Sequence, residues 1–393
     1  MEKPEFPFDI RISYSGSIEK RVRKAADSCK YAKKETEEMT MSIAYVGCRT
    51  TRERNARGKG LKVYHVCEET GEWKELQCLE TEPNPSYQTM DLEEKYLYSV
   101  HGDLTKVSSY QILEDGCLRP LNTIDIGGKN PVYITVDKSN RYLVVAALQG
   151  GAVYVIRRQE DGSLGEIVTK ETLEGKKGDA ISFAHQCIWD QKKEYLFVVT
   201  QARMQGYGMV RVFRFDETDG SLTKTDTYYS REYDEPRHVS IHPNNRYVYL
   251  INEKGNKMTY LEFDEKTGTL QARQNLPSLP ETYTGEGQAS ASLLDEKGQI
   301  LIGSNRIHES VVLYRIDQKT GYMKELGYYS CLGKTPRFIT YDRDYRHFYM
   351  ANEDSDTIVE ATIDSEHGTL AYTGRIIPTE SPVCITFKEE GER

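Results

Sequence analysis

The sequence predicts an all-β protein with the architecture of a seven-bladed β-propeller. A short glycine turn separates two β-rich runs seven times, at Gly71, Gly116, Gly162, Gly220, Gly268, Gly321 and Gly368. Successive glycines in that series lie 45 to 58 residues apart. Each interval holds several short strands, and a β-rich repeat of that period is typical of propeller blades. Because one blade cannot bury its own faces, the repeats must stack in a closed ring.

The order of strands within a repeat is clearest in residues 133–167. There a first strand ends in a polar turn, an apolar second strand and an alternating third strand follow, and a glycine turn leads to a fourth. Alternating polarity punctuated by Gly, Asn and Asp favours strands over helices. Applied along the chain, this pattern predicts seven second strands, which begin near residues 41, 96, 142, 195, 247, 300 and 348.

The two ends of the repeat complement each other. The first unit starts at its second strand and lacks a first strand, whereas the segment VCITFKE from Val383 matches the first strands of other units. We therefore expect the C-terminal strand to complete the first blade. This closure removes an exposed sheet edge and joins the ends of the ring.

Residues 1–40 lie outside the repeat, so we expect a short N-terminal extension followed by one propeller domain over residues 41–393. Residues 8–15 could form a strand, and the charged stretch from Ser17 to Met39 predicts a helix with a thin apolar stripe. Such a helix is stable only when docked, so we expect it to pack against the propeller rim or a partner chain. The oligomeric state stays open.

The composition limits the partners that the protein can bind. A formal net charge of −9 over 393 residues argues against nucleic-acid or anionic-membrane binding, because both require basic surface. No run approaches 18 apolar residues and the N-terminus lacks the apolar core of an export signal, so we expect a cytoplasmic protein. The eight cysteines occur singly and without Cys/His metal spacing, which predicts reduced thiols, no metal and no cofactor.

Charged residues concentrate in the connections predicted to share one face of the ring. Antiparallel strands alternate direction, so the connections into each first strand and those after each second strand lie on the same face. These connections carry His185, Arg237, His238, Glu253, Arg306 and Arg337. A concave channel mouth with convergent acid, base and cationic groups is typical of a small-molecule site.

Three segments and two short elements of the chain carry a family resemblance, namely residues 128–155, 235–253 and 333–342 with TGEG and SNR. They resemble the seven-bladed lactonase family, which includes bacterial 6-phosphogluconolactonases and the fungal carboxy-cis,cis-muconate cyclase. The resemblance runs from about Tyr45 to the C-terminus.

The resemblance implies a role for individual residues. In the cyclase branch, the equivalents of His185, Arg237, Glu253 and Arg306 are the proposed active-site residues. Further contacts to substrate are expected from His238, Glu286, Arg337, Lys334, His101 and Asp103. A lactonase needs a base for water, for which His185 and Glu253 are the candidates. Arginines can stabilise an oxyanion and hold a carboxylate or phosphate.

Three departures from the family pattern point to a different substrate from those of the named relatives. Phe183 replaces the first histidine of a His-x-His element, and Ala291 stands where a second glutamate is expected after Glu286. The second blade has His101-Gly102-Asp103 where relatives often carry Asn-Glu.

The sequence therefore predicts an enzyme that hydrolyses a sugar-acid or phosphosugar lactone. The absence of a GxSxG elbow favours attack by water over an acyl-enzyme. A carboxymuconate-type cycloisomerase is the alternative reaction. A non-catalytic propeller that binds a small anionic ligand or a protein is the alternative of another class. The loss of the second glutamate and of the first histidine favours it, whereas the retained His185, Glu253 and arginines favour the enzyme.

Overall fold

The computed structural model describes residues 41–389. The strand and helix predicted within residues 1–40 lie outside the described residues. The described chain forms seven four-stranded antiparallel sheets, in which each strand pairs with its neighbour in the order of the chain, except at the closure of the ring. The first strands of neighbouring blades contact one another, and they therefore line the central channel.

The first four blades, with strands given from the channel outward, have these bounds. Blade 1 contains β28 (Pro382–Glu389), β1 (Met41–Cys48), β2 (Gly60–Cys67) and β3 (Trp73–Glu80). Blade 2 contains β4 (Pro85–Met90), β5 (Tyr96–His101), β6 (Lys106–Ile112) and β7 (Leu118–Asp125). Blade 3 contains β8 (Pro131–Val136), β9 (Tyr142–Ala147), β10 (Ala152–Arg158) and β11 (Leu164–Thr172). Blade 4 contains β12 (Phe183–Trp189), β13 (Tyr195–Gln201), β14 (Met209–Phe215) and β15 (Leu222–Tyr229).

The last three blades follow the same order. Blade 5 contains β16 (Pro236–Ile241), β17 (Tyr247–Asn252), β18 (Lys257–Asp264) and β19 (Thr269–Pro277). Blade 6 contains β20 (Ala289–Leu294), β21 (Ile300–Asn305), β22 (Ser310–Ile316) and β23 (Met323–Ser330). Blade 7 contains β24 (Pro336–Tyr341), β25 (Phe348–Asn352), β26 (Thr357–Asp364) and β27 (Thr369–Pro378). Single 3₁₀ turns occur at Arg52–Arg54 and Glu353–Ser355.

The seven-bladed architecture confirms the predicted fold class. The second strands begin at the seven predicted positions, namely Met41, Tyr96, Tyr142, Tyr195, Tyr247, Ile300 and Phe348. The glycines of the seven turns all have a positive φ, between 64° and 82°. A side chain is strained in this left-handed conformation, which explains why glycine returns at each turn. Within residues 41–389, no helix is long and apolar enough to cross a membrane.

Tyrosines on the second strands tie neighbouring blades together. Their rings are buried between blades, and their hydroxyls donate to the carbonyl of the glycine turn in the following blade. These bonds are Tyr45 to Gly116 at 2.9 Å, Tyr98 to Gly162 at 3.0 Å and Tyr249 to Gly321 at 2.9 Å. A tyrosine suits this position because its apolar ring fills the core while its hydroxyl satisfies a turn carbonyl.

The C-terminal strand closes the ring as predicted. Strand β28 pairs antiparallel with β1, with Ile43 opposite Lys388 and Val46 opposite Ile385. Without β28, the strand β1 would be an open edge, which is prone to intermolecular pairing.

We expect a chain that ends at Ser381 to lose cooperative folding. The deletion removes four buried apolar side chains, Val383, Cys384, Ile385 and Phe387. At about 1.5–3 kcal/mol each, their loss is comparable with the entire stability of an ordinary domain. Thermal unfolding followed by circular dichroism tests this, with a chain that ends at Glu389 as the control. Cooperative melting of the shorter chain at the control's temperature would contradict the closure.

Candidate functional site

In six of the seven blades, a β-bulge near the start of the innermost strand directs one side chain toward the channel mouth. In blade 4, Ala184 pairs with Thr200 and Gln186 with Val199, so His185 is the extra residue. The same irregularity occurs at Arg237 in blade 5 and Arg337 in blade 7. It recurs at Ser86, Val132 and Val383. These six bulge residues all line one cavity, because a bulge re-aims the extra side chain.

In four blades, the residue that follows the second strand contributes a charged side chain at or beside the same mouth. This residue is Arg49 in blade 1, Glu253 in blade 5, Arg306 in blade 6 and Glu353 in blade 7. Its backbone N–H donates to the carbonyl of the residue just before the first strand of the same blade, for example Glu253 to Glu235 at 2.7 Å. The backbone therefore fixes both sets of side chains against each other.

The cavity between these two sets has a volume of about 210 Å³. Six arginines line it: Arg49, Arg54, Arg203, Arg237, Arg306 and Arg337. Three carboxylates, those of Asp103, Glu253 and Glu353, form ion pairs with five of them. The mouth thus carries an excess of positive charge in an acidic protein, and this charge favours an anionic ligand.

The carboxylate of Glu253 lies between two arginines. Arg237 Nε lies 3.4 Å from one of its oxygens and Arg306 Nη2 lies 3.2 Å from the other. The side-chain amides of Gln201 and Gln288 donate to the same two oxygens at 2.8 and 2.9 Å. Burial would raise the pKa of Glu253, but the two guanidinium groups and the two amides lower it to about 2. Glu253 is therefore ionised and a weak base.

His185 is a buried, neutral imidazole among the arginines. Its ring lies 5.2 Å from that of His238, and its Nδ1 finds no hydrogen-bond partner among protein atoms. Burial and the nearby charges of Arg237, Arg337, Arg306 and Arg203 hold the pKa of His185 well below its usual range. The ring is therefore unprotonated at neutral pH and can accept a proton.

Three guanidinium Nε atoms next to the cavity also lack a hydrogen bond, although two of them lie 3.4 and 3.6 Å from a carboxylate oxygen. The Nε atoms of Arg49, Arg237 and Arg306 are buried and form no hydrogen bond with protein atoms. Arg237 is otherwise fixed by a 2.8 Å bond from Nη1 to the carbonyl of Ser290, and Arg306 by a 2.9 Å bond from Nη2 to the carbonyl of Ala289. Buried polar groups almost always find a partner, so such a cluster is a feature expected of a ligand site.

Glu353 organises the opposite wall of the cavity. It pairs with Arg337 at 3.2 Å and with Arg49 at 3.6 Å, and Arg49 also lies 3.4 Å from Asp103. Asp103 further accepts both donors of the Arg54 fork. This network joins blades 7, 1 and 2, which are the blades at the closure of the ring.

The structure brings together six of the ten predicted site residues at the cavity. His185, Arg237, His238, Glu253, Arg306 and Arg337 all line it. Asp103 lies behind the lining, where it pairs with Arg49 and Arg54.

The remaining three predicted residues do not join this cluster. His101 is fully buried inside blade 2, where its ring nitrogens bond to the carbonyl of Pro83 at 3.2 Å and the hydroxyl of Ser108 at 2.8 Å. Both ring nitrogens are used inside the blade, so His101 serves internal packing. Its burial also lowers its pKa to about 4. Glu286 and Lys334 have exposed side chains outside the lining of the cavity.

Sequence reasoning missed several residues of the site. Arg49, Arg54, Arg203, Gln288 and Glu353 line the cavity or hold its arginines. For Arg49 and Glu353 a usable signal existed, because each follows a second strand, as Glu253 and Arg306 do.

Two of the residues that depart from the family pattern, Phe183 and Ala291, lie in different places in the structure. Phe183 lies under the guanidinium of Arg203, whose carbon is 5.3 Å from the ring centroid. Ala291 lies in the wall of a different cavity, so the missing second glutamate leaves the cationic cavity unchanged.

An aromatic layer divides the channel. Tyr87 stacks on Tyr133 at 4.0 Å between ring centroids, and it also contacts Phe338 at 6.0 Å, while Tyr133 meets His238 at 5.9 Å. Beyond this layer lies a larger cavity of about 650 Å³, whose inner wall includes Ser240, Ser292, Thr340 and Thr386. The arginine cluster belongs to the smaller cavity, so we place the candidate site there.

Known proteins of similar sequence and structure align with nearly the whole propeller. The 6-phosphogluconolactonase of Bacillus subtilis is 26% identical over 355 residues, which span 89% of this chain and 99% of that protein. The 6-phosphogluconolactonase of Formosa agariphila is 27% identical over 333 residues, spanning 80% and 91% of the two chains. The structure of a periplasmic gluconolactonase of Pseudomonas aeruginosa superimposes with a TM-score of 0.79 at 22% identity, covering 88% of this chain and 99% of its own.

The match to a family model covers nearly all of the described residues. Residues 43–387 fit the model described as "Lactonase, 7-bladed beta-propeller". The matched range begins within β1 and ends within β28, so it includes both strands that close the ring. This protein therefore belongs to the family of seven-bladed β-propeller lactonases.

Proposed function

We propose that this protein hydrolyses the lactone of an anionic sugar acid in the arginine-lined cavity. The observation that carries the proposal is a group of buried polar atoms around one small space that form no hydrogen bond with protein atoms. The Nδ1 of His185 and the Nε atoms of Arg49, Arg237 and Arg306 all lack hydrogen bonds to protein. Family membership and relatives that are 6-phosphogluconolactonases support the same reaction class.

In the proposed reaction, Arg237 and Arg306 stabilise the charge that develops on the carbonyl oxygen. Their guanidinium groups converge on Glu253, which holds them in place before substrate arrives. Preorganised donors of this kind contribute most when water is excluded, as it is around these buried arginines. Glu253 thus acts as a positioning residue. Its pKa of about 2 makes it poorly suited to the proton transfer that the sequence suggested for it.

His185 is the proposed general base. It takes a proton from water as the water attacks the carbonyl carbon. The bond between that carbon and the ring oxygen then breaks, and the ring oxygen receives the proton from His185. The product acid ionises and releases one proton. An anionic substrate would offset the arginine charges that depress the pKa of His185, and so would strengthen the base when it is needed.

We expect His185→Asn to lower kcat for lactone hydrolysis by roughly 10²–10⁴-fold, the usual contribution of a positioned base. Proton release above the spontaneous rate measures this, on a panel of 6-phosphogluconolactone, gluconolactone and a muconolactone. The exposed His367, on a glycine turn, provides the matched control His367→Asn. Full activity of the His185 variant would remove it from the mechanism. Activity on the muconolactone alone would favour a cycloisomerase.

The pH dependence should report the charge around His185. The depressed pKa keeps the imidazole unprotonated, so kcat/KM should fall only as the pH drops through that low pKa. Arg337→Gln removes a nearby positive charge and should therefore raise the pKa of His185, which shifts the acid limb to higher pH. Rate profiles between pH 4.5 and 7 check this. An unmoved limb, or the same limb in His185→Asn, would contradict the assignment.

We expect Arg306→Ala to reduce both turnover and apparent affinity, because the guanidinium contacts ground state and transition state alike. The loss of one buried oxyanion donor corresponds to roughly 10²–10³-fold in kcat. Arg306→Lys, which keeps the charge without the planar fork, should be intermediate. Arg246→Ala is the control, since Arg246 is exposed and pairs with Glu262 away from the cavity. An effect on kcat alone would contradict substrate binding by Arg306.

A further inference from the structure

We propose that Arg203 selects ligands that carry a second anionic group, remote from the reacting carbonyl, and that Phe183 positions its guanidinium for this contact. The inference rests on the proposed function of the same cavity. It assigns Arg203 as a residue that determines specificity in that cavity and Phe183 as the residue that positions it.

Arg203 differs from the other arginines of the cavity because no carboxylate in the described part of the chain pairs with it. Five of the six arginines pair with Asp103, Glu253 or Glu353. Among residues 41–389, Arg203 forms no ion pair with a carboxylate, and its Nε donates to the amide oxygen of Gln201 at 3.1 Å. Its two Nη groups remain available, and a guanidinium fork suits a carboxylate or phosphate.

Phe183 holds this guanidinium without neutralising it. The ring centroid lies 5.3 Å from the guanidinium carbon, within the range of a cation–π interaction. Phe183 on β12 lies opposite Gln201 on β13. The ring and the amide therefore approach Arg203 from two paired strands of the same blade. A phenyl face accepts no hydrogen bond in the guanidinium plane, so the outer donors stay free for a ligand.

The backbone of Arg203 is also fixed. Arg203 and Met204 have φ values of 41° and 69°, in the left-handed region that is strained for non-glycine residues. The carboxylate of Glu235, from the next blade, accepts the N–H groups of Ala202 at 2.8 Å and Arg203 at 2.9 Å. Strain that the surroundings hold in place is common where a side chain must be presented to a ligand.

Gln201 sets the separation between the two parts of the cavity. Its amide oxygen accepts from Arg203, and its amide nitrogen donates to Glu253, the residue between Arg237 and Arg306. A ligand whose carbonyl lies at Arg237 and Arg306 would therefore reach Arg203 only with its distal end. A sugar acid with an anionic group at its far carbon carries such a distal end.

Binding of ring-opened acids tests the assignment independently of catalysis. Isothermal titration calorimetry compares gluconate, with one anionic group, against 6-phosphogluconate and glucarate, which carry a second. Arg203→Gln should weaken binding of a dianionic acid by roughly ten- to a hundredfold, the range of a charge-assisted hydrogen bond, and that of gluconate by less than about threefold. Loss confined to 6-phosphogluconate identifies a phosphate, and loss confined to glucarate a carboxylate.

Two further variants keep the test decisive. Phe183→Leu removes the aromatic face but keeps apolar volume, and it should reduce the same selectivity to a smaller extent. Arg231→Gln is the matched control, because Arg231 is exposed on the neighbouring loop and lies outside the cavity lining. Equal losses for gluconate and the dianions, or no loss in Arg203→Gln, would overturn the inference.

The outcomes also separate this inference from the proposed function. Lactone hydrolysis with a selectivity that Arg203→Gln leaves unchanged refutes the role of Arg203 alone. Selective binding that depends on Arg203, in a protein without lactonase activity, refutes the proposed reaction and supports the inference.

Discussion

The site depends on one backbone hydrogen bond that recurs around the ring. In six of the seven blades, the N–H of the residue after the second strand donates to the carbonyl of the residue before the first strand, at 2.7–3.0 Å. The exception is blade 4, where the N–H of Ala202 donates instead to the side chain of Glu235. In those six blades the bond closes the inner end of the blade. A bulge in the first strand, which blade 4 shares without this bond, turns the side chains of His185, Arg237 and Arg337 into the channel mouth.

The electrostatics of the mouth follow from the number of charged side chains that meet there. Six arginines lie around a small space, three of them (Arg49, Arg237 and Arg306) are buried, and burial of a charge is costly unless it is paired. Glu253 and Glu353 offset much of that cost, since each pairs with two arginines. The compensation is incomplete, and burial together with the remaining positive charge holds the pKa of His185 well below its usual range, so that the ring stays unprotonated. The same imbalance that costs stability thus provides the attraction for an anion and a base in its neutral form.

The aromatic layer explains why chemistry is expected at only one end of the channel. In blades 2, 3 and 5, the bulge residue is followed by an aromatic ring, that of Tyr87, Tyr133 and His238 respectively. These rings meet across the channel axis, with Tyr133 in contact with the other two. They close the floor of the arginine-lined cavity and separate it from the larger cavity behind. A buried floor excludes water from the charged groups, and exclusion of water strengthens their interactions with a ligand.

The sequence by itself determined the ring of seven blades, the start of each second strand and the closure by β28, because strand alternation and glycine turns are local signals. It also placed His185, Arg237, Glu253 and Arg306 on one face, since antiparallel strands alternate in direction. Only the tertiary structure decided which charges meet. The pairing of Arg49 with Glu353 and the low pKa of Glu253 both depend on residues from other blades. Bulges and charge compensation between such distant residues have no local pattern, so their arrangement emerges only when the ring closes.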